Sequence, residues 1–72
     1  MKISITYCVA WNYLPQATRM AAKISEAFGI EPELIKGRNG VFDVVADDKL
    51  IFSKHQIGRF PDDEEVIKLL TK

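Results

Sequence analysis

The sequence predicts one α+β domain, residues 1–72, in the element order β-α-β-β-β-α. Apolar and polar residues alternate from Lys2 to Cys8, and the spacing turns helical from Tyr13 to Phe28. Three short β-rich segments and a final amphipathic stretch with an acidic head follow.

In the first strand Ile3, Ile5 and Tyr7 share one face, and Ser4, Thr6 and Cys8 share the other. The first helix puts Leu14, Ala17, Ala21, Ile24 and Phe28 on one stripe, which predicts their burial. Asn12 is the expected N-cap, because its side-chain oxygen suits an orphan amide of the first turn. Pro15 sits where its missing N–H is no loss, and Gly29 supplies the residue tolerant of positive φ that ends the helix. Glu33 to Lys36 is a short strand, and Gly37-Arg38-Asn39-Gly40 a turn. Val41–Ala46 and Lys49–Ser53 are strands joined by Asp47-Asp48 as a two-residue hairpin loop. Lys54 to Phe60 is expected to be a loop, stopped by Pro61. Asp62, Asp63, Glu64 and Glu65 open the last helix, where acids meet the positive end of its dipole. Val66, Ile67, Leu69 and Leu70 pack it, with Leu69 and Leu70 beside the first helix.

The first two strands should be parallel, joined by a right-handed crossover through the helix. Loop lengths alone leave two sheets open. A meander of order 1-2-3-4 fits, and so does 2-1-3-4, because a four-residue turn can step across one strand position of ~4.8 Å on each side. With both helices on one face, the other takes Val41 and Val45, or else Phe42 and Val44, together with Ile51 or its neighbours. Such an apolar face suits a protein partner or a second copy of the chain.

Ten basic and ten acidic residues cancel, and the bases are scattered, which argues against nucleic acid or an anionic membrane as partner. No apolar run approaches the ~20 residues of a membrane span. The start, Met1-Lys2-Ile3-Ser4, enters a strand without a leader-like apolar core. A single cysteine forms no internal disulfide, so a reducing cytoplasm is the expected compartment.

Cys8 is the residue with chemistry. A strand ending in C-x-x-C at the head of a helix is a thioredoxin-like redox motif. In Cys8-Val9-Ala10-Trp11 the second cysteine is replaced by Trp11. An indole has no atom that can displace a mixed disulfide, which excludes an intramolecular dithiol mechanism. A thiol at a helix N-terminus is favoured as thiolate, and Cys8 is expected at least partly open to solvent. The bland alternative is a small buried hydrophobe at a strand end. For Trp11, shielding of Cys8 and anchoring of a partner both remain open.

Tyr7-Cys8-Val9-Ala10-Trp11-Asn12-Tyr13-Leu14 and Gly40-Val41-Phe42-Asp43-Val44 resemble the selenoprotein W-like (Rdx) family, and Leu50-Ile51-Phe52-Ser53-Lys54 and Gly58-Arg59-Phe60-Pro61 extend the resemblance nearly end to end. The resemblance implies a thioredoxin-like sheet of order 2-1-3-4 with two helices on one face. Its motif is Cys-x-x-Cys, or Cys-x-x-selenocysteine, so it transfers to Cys8 and fails at Trp11. Asn39-Gly40 stands where thioredoxins carry a proline before the third strand, a proline this family also lacks.

Two functions follow as expectations. In one, Cys8 is the nucleophile of a monothiol redox protein exchanging with glutathione or protein thiols. In the other, the chain is a non-catalytic interaction module whose partner surface is the Cys8–Tyr13 loop, with Trp11, Asn12 and Tyr13 as contacts. No cofactor and no metal is expected. His55 is a lone loop imidazole, and the fold gives no reason to bring it to Cys8. The acids at 62–65 lack the alternation of a calcium loop, and Gly37–Gly40 lacks the lysine and following helix of a phosphate loop.

Overall fold

A computed structural model describes residues 1–71. The elements are β1 (Ile3–Cys8), α1 (Leu14–Phe28), β2 (Glu33–Gly37), β3 (Phe42–Ala46), β4 (Lys49–Ser53), α2 (Lys54–Ile57) and α3 (Asp63–Thr71). The sheet order is β2-β1-β3-β4. β1 is central, parallel to β2 with Ile5 beside Leu34, and antiparallel to β3 with Ile5 beside Val44. The meander is thereby excluded.

Alternation along β1 is obeyed. Ile3, Ile5 and Tyr7 join one cluster with Phe42, Val44 and Phe52 of the sheet, Ala17, Met20 and Ile24 of α1, and Val66 and Leu70 of α3. Both long helices therefore cover one face. Phe42 and Val44 are the buried pair on β3, which leaves Val41 and Val45 toward the open face. On β4 the open face takes Leu50, the neighbour of Ile51. Ile51 itself is the extra residue of a bulge in β4, opposite the Val44–Val45 step, and it packs against the core while Leu50 is exposed.

Three further corrections concern local structure. Asn12 is not the N-cap: it adopts φ 58° within a turn closed by Asn12 N–H to Val9 O (3.0 Å), and Tyr13 takes the cap position with no side-chain bond. A short polar side chain tolerates that left-handed conformation, so asparagine serves the turn rather than the helix. Leu14 is exposed (43%) at the first helical position, where Tyr13 makes the core contact instead; Met20, absent from the expected stripe, is buried. Residues 54–57 form one helical turn, closed by Gly58 N–H to Lys54 O (2.7 Å) with Gly58 at φ 87°. Four residues are too few to show a helical period in sequence.

Asp47 and Asp48 make the expected hairpin, both with positive φ. Asp47 exchanges two bonds with Lys2, whose N–H donates to Asp47 Oδ1 (2.9 Å) and whose carbonyl accepts from Asp47 N–H (2.9 Å). α3 opens with half of a capping box, Glu65 Oε1 accepting the Asp62 N–H at 3.4 Å. Leu70 is buried and Leu69 half-buried, as its helical face requires.

Candidate functional site

β1 delivers Cys8 to the end of the sheet at its central position, flanked by the last residue of β2 and the approach to β3. Cys8 N–H donates to Val41 O (2.9 Å), and Val9 N–H to Gly37 O (3.3 Å). Residues 9–12 then reverse the chain. Tyr13 N–H donates to Cys8 O (3.0 Å), and Trp11 N–H reaches Cys8 Sγ at 3.4 Å. Strands on both sides and a turn folded back from above leave Cys8 0% exposed, which corrects the expectation of a partly open thiol. Helix proximity was legible from sequence; this enclosure was not, because Gly37 and Val41 lie far away in the chain. Cys8 also stands apart from the main core cluster, as its position on the Ser4 and Thr6 side of β1 requires.

Trp11 is 60% exposed, yet it is seated. A Cβ on Gly40 would lie 2.5 Å from Trp11 Cζ3 and 2.8 Å from Cε3, so the indole rests directly on the glycine backbone. Gly40 has φ 73°, a second reason for glycine there. The indole edge also meets Tyr13 at 6.1 Å between centroids, Tyr13 meets Phe60 at 4.7 Å, and Phe60 meets the core residue Phe42 at 5.3 Å, all near-perpendicular. Lys54 Nζ lies 5.7 Å from the Tyr13 centroid and 5.3 Å from that of Phe60. Of the sequence-predicted surface, Trp11 and Asn12 are exposed and Tyr13 is half-buried as the link to the core. The contact of Trp11 with the thiol is through its backbone; its indole is displayed against the Gly40 backbone.

Sequence reasoning missed Gly40 as that seat and Lys54 as part of the same end. Gly40 reads locally as a turn glycine, and nothing local signals that an indole from another segment covers it. The 2-1-3-4 order brings the end of β4 to the Cys8 end of the sheet, so the segment carrying Lys54 and His55 does approach this region. His55 itself is exposed. Among the described residues no group of three or more His, Cys, Asp or Glu side chains is placed to hold a metal ion, and no helix is long and apolar enough to cross a membrane.

Comparison with known proteins agrees with this architecture. Migration and invasion enhancer 1 from Bos taurus is 27% identical over 73 residues, a match covering 100% of this chain and 64% of the relative, so the chain spans less than two thirds of that protein. A crystal structure of a Bordetella parapertussis protein superposes with TM-score 0.93 at 26% identity, over 97% of this chain and 92% of the other. That of a selenoprotein W-related protein from Vibrio cholerae gives TM-score 0.92 at 20% identity, over 97% and 91%, a likeness of fold. The Rdx family matches residues 2–72. A thioredoxin-like sheet of order 2-1-3-4, a strand-end cysteine and a family match over residues 2–72 lead to one conclusion: this protein belongs to the Rdx family.

Proposed function

We propose that this chain is a non-catalytic interaction module of its family, in which the redox end of a thioredoxin-like fold has become a contact surface led by Trp11. One observation carries the reading: the only thiol is fully enclosed, while the residue in the second motif position is 60% exposed and seated on Gly40. A tryptophan already packed on Gly40 and Tyr13 before binding has less freedom to lose on contact and brings a large apolar area, the properties of a binding hot spot. Asn12 and Tyr13 flank it. A reducing cytoplasm suits a protein with one free thiol.

A second reading keeps the thiol chemistry, and a specific contact favours it. Cys8 Sγ lies only one hydrogen bond, 3.4 Å, behind the Trp11 amide, so opening a single turn delivers it to solvent. The Cys8 thiolate would then attack one sulfur of oxidised glutathione, forming a Cys8–glutathione bond, breaking the S–S bond and releasing glutathione thiolate. Trp11 cannot displace the adduct, so an external thiol must regenerate Cys8.

Affinity capture from a cell lysate with wild-type protein, Cys8→Ser and Trp11→Ala separates the two. The module reading expects partners retained by Cys8→Ser and lost with Trp11→Ala. Partners lost with Cys8→Ser, and released from wild type by dithiothreitol, would establish thiol exchange instead.

A further inference from the structure

The charges of this protein cancel in total but not in space. At the Trp11 end of the sheet stand the turn after β1 (residues 9–13), the turn before β3 (38–41) and α2 (Lys54–Ile57). These segments carry Arg38, Lys54 and His55 and no aspartate or glutamate. The turns at the opposite end carry Glu31, Asp47 and Asp48. Two of the four acids heading α3 are engaged along the helical face, Asp63 with Arg19 at 3.4 Å and Glu65 with Arg59 at 2.9 Å. Among the described residues Arg38 and Lys54 enter no ion pair, and Lys54 instead lies over the rings of Tyr13 and Phe60.

Apolar exposure is concentrated at the same end. Val9, Trp11 and Leu14, all large and exposed, fall within six consecutive positions. Trp11 rests on Gly40, two residues from Arg38, so the apolar anchor and a free guanidinium belong to one surface. A surface of one sign beside a fixed indole selects by charge complementarity and holds by apolar burial.

We propose that the Trp11 end docks an acidic protein segment bearing at least one large apolar side chain, with Trp11 and its neighbours taking the apolar group and Arg38 and Lys54 facing the carboxylates. This rests on the interaction-module reading and names its partner class. A protein segment suits the surface better than a lipid bilayer, because the basic patch is small and the rest of the chain carries ten acids in all.

The test uses the full chain, titrated into three sets of twelve-residue synthetic peptides, read by the anisotropy of a dye on the peptide so that variants at the single tryptophan stay measurable, and into phosphatidylserine vesicles, read by co-sedimentation. One peptide set carries aspartate and glutamate around a central leucine or phenylalanine. The second replaces every acid by its amide, and the third by lysine. The proposal expects binding from the acidic set only, weakened by salt, weakened at least about tenfold by Arg38→Glu, and abolished by Trp11→Ala. Equal binding of acidic and amide sets, lost with Trp11→Ala, overturns the acidic partner while leaving the module reading standing. Binding to vesicles without any peptide preference overturns it in favour of a membrane. No binding by any probe, together with ready glutathionylation of Cys8, overturns both.

Discussion

A methyl group on Gly40 would stand 2.5 Å from Trp11 Cζ3, on a backbone at φ 73°. Gly40→Ala should therefore displace the indole and strain the turn, costing about 1–2 kcal/mol for the left-handed conformation alone. The emission maximum of the single tryptophan and the midpoint of urea unfolding report the two effects separately. An unchanged spectrum would mean that the indole does not rest on Gly40. Trp11 itself admits a second prediction. The residue 11 backbone already stands at Cys8 Sγ, 3.4 Å away. After exposure to oxidised glutathione, Trp11→Cys should acquire an internal disulfide: the new thiol at the exposed position takes up glutathione, and Cys8 Sγ attacks that sulfur and releases glutathione thiolate. An intact mass two hydrogens lighter, with no glutathione retained, is the expected product; a stable adduct would show that positions 8 and 11 cannot meet.

At the scale of elements, α1 and α3 hold the site by packing on the far face of the sheet. Ile24 is fully buried between them and β1. Ile24→Ala should cost roughly 2–5 kcal/mol, a large part of the stability of so small a domain, whereas Leu14→Ala at its exposed position should stay within about 0.5 kcal/mol. Chemical unfolding of both variants checks the contrast. The helix stripe was legible in sequence through its period, since Ala17, Ala21, Ile24 and Phe28 all pack inward. Its start was not: Leu14 continues the period, but the sheet gives it nothing to cover. Electrostatics act at this scale too. Glu65 accepts two bonds from Arg59, at 2.9 Å each, which hold its carboxyl below the usual carboxylate range. A depressed folded value contributes stability above the ordinary carboxylate pKa and loses it as pH falls through the folded value. Glu65→Gln should accordingly lower stability at neutral pH slightly and flatten the acid limb of the stability profile. A profile parallel to wild type between neutral and strongly acid pH would contradict that role.

For the whole molecule, the strand order decides which loops share an end. Element types were readable from alternation, helical spacing and turn residues, but loop lengths left the meander and 2-1-3-4 equally open; resemblance in two separated motifs favoured the order found. That order places Gly37, Val41 and Lys54 around the Cys8–Tyr13 turn. The position of Cys8 at a strand end was therefore legible, whereas its burial was not, because the strands that flank it, at Gly37 and Val41, arrive from distant segments. The same topology puts the exposed indole, Arg38 and Lys54 at one end of a chain with no net charge. The claim that this end now binds rather than turns over rests on the enclosure of Cys8. It is tested most directly by intact mass spectrometry after exposing the folded protein to oxidised glutathione at neutral pH, beside a sample unfolded in denaturant. The account predicts an unmodified folded chain and one glutathione per chain once unfolded. Stoichiometric glutathionylation of the folded protein would contradict it and return Cys8 to the role of nucleophile.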